Sequence, residues 1–168
     1  MRVAFACLPF LIAAPALAQH PAADPSCANV RAALPAELAG WSEKTSVSAG
    51  VKPGEGATVL VGQAALVSLH PAKHLDLTPV QRTAVDGNGG TLALPVTAAG
   101  TYRVALGGNA WVDLVQGGKA VASAAHGHGP KCTGILKIVD FKLTPGNYAI
   151  QLSGSADDSV ALLVAKIA

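Results

Sequence analysis

Two histidine pairs are the residues best placed to do chemistry in this sequence. His126-x-His128 sits in a glycine-rich stretch just before Cys132. On an extended segment, side chains at i and i+2 leave the backbone on the same side. Two imidazoles there can chelate one ion, and imidazole suits copper, zinc or iron. His70 and His74 flank Pro71-Ala72-Lys73, with Asp76 beyond. On a helical turn, residues four apart share a face, but Pro71 and the apolar run before it make this segment read as a loop. A fold that joined the two pairs would create a mononuclear divalent transition-metal site, with Asp76 or Asp113 as hard ligand. The competing reading leaves all four imidazoles in solvent-exposed loops with nothing bound.

Other reactive types are sparse. Cys27 and Cys132 read as a disulfide, since an isolated pair in an oxidising compartment is most simply bonded. A bonded Cys132 is not a thiolate, so disulfide and thiolate-metal chemistry compete at that residue. Asp157-Asp158 reads as a turn, because adjacent side chains diverge on a strand and nothing fixes a glycosidase-like spacing. Trp111 reads as a sandwich-core residue, with a sugar-stacking platform as the alternative. The sequence contains no Gly-x-Ser-x-Gly elbow, no HExxH and no phosphate-binding glycine loop. No residue is assigned a catalytic role and no cofactor is expected beyond that metal.

The segments that must position these residues begin with a leader. Met1-Arg2, an apolar stretch from Val3 to Ala14, Pro15, and small residues at Ala16 and Ala18 read as a signal peptide over 1–18, cleaved before Gln19. The apolar stretch is too short to span a bilayer, so the expected address is periplasmic or secreted. Cys7 leaves with the leader, and His20 falls in the mature N-terminal tail. The rest, about 150 residues, suits one domain. With 12 Lys+Arg against 10 Asp+Glu and only 4% aromatic residues, no basic, aromatic-laced surface for nucleic acid is expected. The low charge and the abundance of Ala, Val, Leu and Gly argue against disorder.

Residues 19–57 read as a lead-in. Ser26 is placed to cap a short helix over Cys27 to Leu34, Pro35 to stop it or start another turn through Glu37 and Leu38, and 40–56 to form loop with a short edge strand. Over 58–168 the pattern becomes short apolar runs punctuated by glycine: 58–61, 65–69, 91–96, 102–106, 110–115, 120–122, 135–139, 148–152 and 160–164. Tyr102, Val104 and Leu106 alternate with Arg103 and Ala105, and Tyr148, Ile150 and Leu152 with Ala149 and Gln151, the period of a strand. Gly107-Gly108 and Gly117-Gly118 predict consecutive hairpins around Trp111. About eight or nine short antiparallel strands of this kind make a single all-β sandwich, jelly-roll-like, behind a short helical lead-in.

One pattern occurs twice. Gly100-Thr101-Tyr102-Arg103-Val104-Ala105-Leu106 is echoed by Gly146-Asn147-Tyr148-Ala149-Ile150-Gln151-Leu152. Each tyrosine is expected to pack at a strand entrance with its hydroxyl on a backbone partner, as an architectural corner. Together with Val112-Asp113-Leu114-Val115 and Leu143-Thr144-Pro145, these segments resemble the bacterial pre-peptidase C-terminal domains over roughly 58–168. The resemblance implies a jelly-roll-like sandwich with an accessory role in secretion, folding or substrate attachment. His126 to Ile135 also resembles a segment of short, signal-bearing alphaproteobacterial proteins that often carry the name homogentisate 1,2-dioxygenase. That enzyme is a much longer cytoplasmic cupin whose iron is held by two His and one Glu. Here Glu37, Glu43 and Glu55 all precede the sandwich, so no catalytic residue carries over. The sequence therefore reads as an exported, non-enzymatic module binding a small ligand, a glycan or an envelope partner protein. Metal binding through His126 and His128 is the alternative.

Overall fold

The computed structural model describes residues 25–28, 30, 32–79 and 86–167. The leader, its cleavage site before Gln19 and His20 lie outside them. Short 3-10 segments over Pro25–Cys27 and Ala36–Ser42 precede the first strand. The strands are β1 (Lys44–Ser48), β2 (Ala64–Ser68), β3 (His70–Pro71), β4 (Asn88–Val96), β5 (Gly100–Leu106), β6 (Trp111–Gln116), β7 (Lys119–Ala120), β8 (Ser123–Gly127), β9 (Lys137–Leu143), β10 (Gly146–Ser155) and β11 (Ser159–Lys166). They form two sheets, ordered β1-β2-β11-β5-β9-β8 and β3-β4-β10-β6-β7. The all-β sandwich expected from the alternation is the fold. Among the described residues no helix is long and apolar enough to cross a membrane.

Alternation sends one side of each strand into the space between the sheets. Tyr102, Val104 and Leu106 of β5 meet Leu92 and Leu94 of β4, Val112 and Leu114 of β6, Phe141 of β9, Ile150 of β10 and Leu162 of β11 in one buried cluster. A second, smaller core lies on the outer face of the six-stranded sheet. There Leu38 and Trp41 of the 3-10 segment cover Ala105, Leu163 and Ala165, with Ile135 and Ile138 alongside. Gly40 permits this close approach, since a Cβ there would drive into the Gly62 carbonyl. The Trp41 indole donates to the Thr133 carbonyl at 2.9 Å. The Cys27–Cys132 disulfide fastens the same two segments together. Beside this core, Arg103 and Asp140 stand directly opposite on β5 and β9 and form a two-pronged ion pair at 2.8 and 2.9 Å. That hydrogen bonding to Asp140 outweighs burial and raises the Arg103 guanidinium above its ordinary pKa.

Several local expectations are corrected. The helix over Cys27 to Leu34 does not form, since the described residues after Cys27 are a turn and irregular chain. The turn expected after Pro35 through Glu37 and Leu38 does form, as the 3-10 segment Ala36–Ser42, where Leu38 and Trp41 have a core to enter. Residues 58–61 are not a strand, and Thr58 makes only an isolated bridge to Ala93. β1 pairs with β2 in parallel, within an otherwise antiparallel arrangement. Gly117-Gly118 does turn β6 into β7. Gly107-Gly108 does not close a hairpin, because β5 and β6 belong to different sheets and 107–110 crosses between them. β8, read as loop, is an edge strand paired with β9.

Candidate ligand-binding cleft

The crossing at 107–110 sets up the cleft. Leu106 pairs with Lys137 at the end of the six-stranded sheet, and the chain then passes to the other sheet and starts β6 at Trp111. Lys137 thus lies under the crossover, its Nζ donating to the Ala110 carbonyl at 3.1 Å and standing 4.8 Å from the centre of the Trp111 ring. Lys137 shares its strand parity with Val139, Phe141 and Leu143, all of the main core. It is a lysine at an inward position, where the sandwich ends and solvent begins.

Trp111 is not in the core; half of its surface, 50%, is exposed. The reason is register: Val112 and Leu114 take the inward positions of β6, leaving Trp111 and Asp113 on the other parity. β7 pairs only with Val115 and Gln116, so the first part of β6 has no strand outside it. The buried tryptophan is Trp41.

Asp113 lies two residues along the strand from Trp111, and the nearby indole favours the charged form of its carboxyl. Burial pushes the Asp113 carboxyl above its ordinary value, and the Trp111 side chain and the Lys137 charge only partly offset it. Lys137 shifts the opposite way: burial lowers it, with Asp113 opposing. Asp113 Oδ2 is buried and has no hydrogen-bond partner among the described residues.

Three depressions meet at Lys137. One, about 220 Å³, opens between the sheet edges with Trp111, Asp113, Ser123, His126 and Phe141 in its lining, closed laterally by the chain running from β7 to β8. A second, about 490 Å³, is lined by Asn109, His126, Gly127, His128 and Leu136 besides Lys137. The third, about 250 Å³, lies between Trp111, Asn109, Ser153 and Gly154. A separate depression of about 510 Å³, which includes Thr78, Leu92 and Tyr148, is lined by no charged side chain. The cleft at Lys137 alone combines an exposed aromatic plate with charged and polar groups.

The other sequence candidates fall elsewhere. His70 is on β3 and binds the Ala49 carbonyl at 2.9 Å. His74 ends a 3-10 turn over Ala72–His74, with exposed Asp76 beyond. β3 is one edge of its sheet, whereas β8 with His126 is an edge of the other sheet on the side next to β7. The two pairs therefore do not meet. His126 and His128 do line one depression, and His128 Nδ1 is engaged with the Leu136 carbonyl at 3.1 Å. Among the described residues no three of His, Cys, Asp and Glu converge as a metal site. Asp157 and Asp158 lie in the turn between β10 and β11. Sequence reasoning missed Lys137 and Asn109; the parity of Lys137 with Val139 and Phe141 was the signal for the first. The chain matches no known family model and no curated protein.

Proposed function

We propose that this chain is an exported, non-enzymatic β-sandwich module that binds a sugar ring of a small ligand or glycan at the Trp111 cleft. The observation that carries the reading is a half-exposed tryptophan, with Lys137 against its ring, at the mouth of a cleft with polar groups around it. The apolar face of a sugar stacks on an indole, while its hydroxyls need a nearby donor and acceptor, which the exposed Asn109 amide supplies. The leader read over 1–18 and the Cys27–Cys132 bond support an exported address.

The test is a tryptophan-fluorescence titration with a panel of mono- and oligosaccharides. Saturable quenching is expected, and Trp111→Ala should abolish sugar binding by calorimetry, at a stability cost of about 1–2 kcal/mol for a half-buried indole. Absence of saturable binding to every sugar would overturn the reading. No ring cleavage of homogentisate with added ferrous iron is expected above a heat-inactivated control.

A second reading, metal binding, is favoured by one observation, the shared depression of His126 and His128. Stoichiometric copper, zinc or iron in untagged protein, lost on replacing both histidines, would put it first.

A further inference from the structure

The cleft has two chemically different halves. On the Trp111 side lie the indole, Ala110, Ser153 and Gly154. On the other side lie Asn109, His126, His128 and the shared Lys137. Every titratable group lining that second half is a base, and neither Asp nor Glu is among its lining residues. Asp113, whose charge acts on Lys137, lines the depression between the sheets instead, where Lys137 and His126 also reach. The Lys137 ammonium makes direct contact with one carbonyl oxygen and the face of an aromatic ring, and the Asp113 charge, which also acts on it, does not outweigh its burial.

We infer that the preferred ligand is an acidic sugar, a hexuronic-acid unit whose ring lies against Trp111 and whose carboxylate enters the depression of Asn109, His126, His128 and Lys137. This rests on the sugar-binding reading above and adds the substrate class. A carboxylate accepts from the ammonium and from the Asn109 amide, and a charged acceptor makes both hydrogen bonds stronger than a sugar hydroxyl would. Desolvation already burdens the Lys137 charge, so an anion beside it removes a cost that a neutral ligand leaves in place. Because Lys137 borders both halves, one ring with one carboxylate on it spans them.

Glucuronate, galacturonate and mannuronate are titrated against glucose, galactose and mannose at pH 7, with inorganic phosphate and acetate as simple anions, reading Trp111 fluorescence. At least one uronate should bind about tenfold more tightly than its neutral parent. Lys137→Met, which keeps the apolar stem, should reduce that preference, the ratio of uronate to parent affinity, to about twofold or less. His126→Ala, on an exposed strand, should lower the same ratio, and a thermal melt matching wild type guards against a folding defect as the cause. Equal affinity for uronate and parent overturns the acidic-sugar inference and leaves the sugar-binding reading standing. Phosphate or acetate binding as tightly as the uronates overturns it too, since the site would then hold any anion. No response to any sugar overturns the reading beneath it.

Discussion

Asp113 shows how a single side chain at the cleft trades stability for position. It stands directly opposite Gln151 in the β6–β10 register, and both Asp113 Oδ2 and Gln151 Oε1 are buried acceptors without a donor among the described residues. Directly paired residues share a sheet face and lie within side-chain reach. Two acceptors there leave a donor wanting, which costs stability. Burial raises the Asp113 carboxyl above its ordinary pKa, so the folded chain binds a proton more tightly than the unfolded chain does. The stabilising contribution of the neutral acid is complete below the ordinary value and is lost as pH rises through the raised one. Asp113→Asn should therefore be more stable than wild type at pH 7, by about 0.5–1 kcal/mol after solvent screening. Its amide offers the Gln151 acceptor a donor. Thermal melts across pH 3–8 check this, with the advantage vanishing at the acid end.

At the scale of the element, the two tyrosine strands carry the same device. Tyr102 donates to the Ala98 carbonyl at 2.8 Å and Tyr148 to the Thr144 carbonyl at 3.0 Å, each reaching back over the turn into its own strand. Tyr102→Phe and Tyr148→Phe should each cost about 1–1.5 kcal/mol in urea unfolding, the value of a hydrogen bond whose acceptor stays behind. These corners were legible in the sequence because a fixed turn precedes a clear alternation. β8 was not: Ser123 to Gly127 is exposed throughout, so its strand is held by backbone bonds to β9 and leaves no side-chain period to read. The crossing at 107–110 was misread for a different reason. A Gly-Gly pair shows that the chain turns, but not whether it returns to the same sheet. The cleft depends on that crossing, so Trp111 was visible as a residue type while its partnership with Lys137 was not.

Over the whole molecule, the outer core and the disulfide do one job, holding the N-terminal segment on the back of the six-stranded sheet. The bond joins residues 105 apart in sequence, a loop for which chain entropy alone gives about 4–5 kcal/mol. Cys132 also has a φ of 61°, making it the only non-glycine in the left-handed region among the described residues. In a Cys27→Ser background, then, Cys132→Gly should be more stable than Cys132→Ser by about 0.5–1 kcal/mol, because glycine adopts that conformation without a Cβ penalty. Denaturant midpoints of the two double variants decide it, and equal midpoints would mean that the backbone relaxes once the bond is gone.

β11 is eleventh in chain order yet lies between β2 and β5. A polypeptide emerging N-terminus first accordingly holds two unjoined pieces, β1 with β2 and β5 with β9 and β8, until Ser159–Lys166 arrives to zip them together. Assembly of that sheet is thereby postponed until its last strand is available. Chains ended before Ser159 should stay protease-sensitive along their whole length, whereas those extended through Lys166 should become resistant in one step.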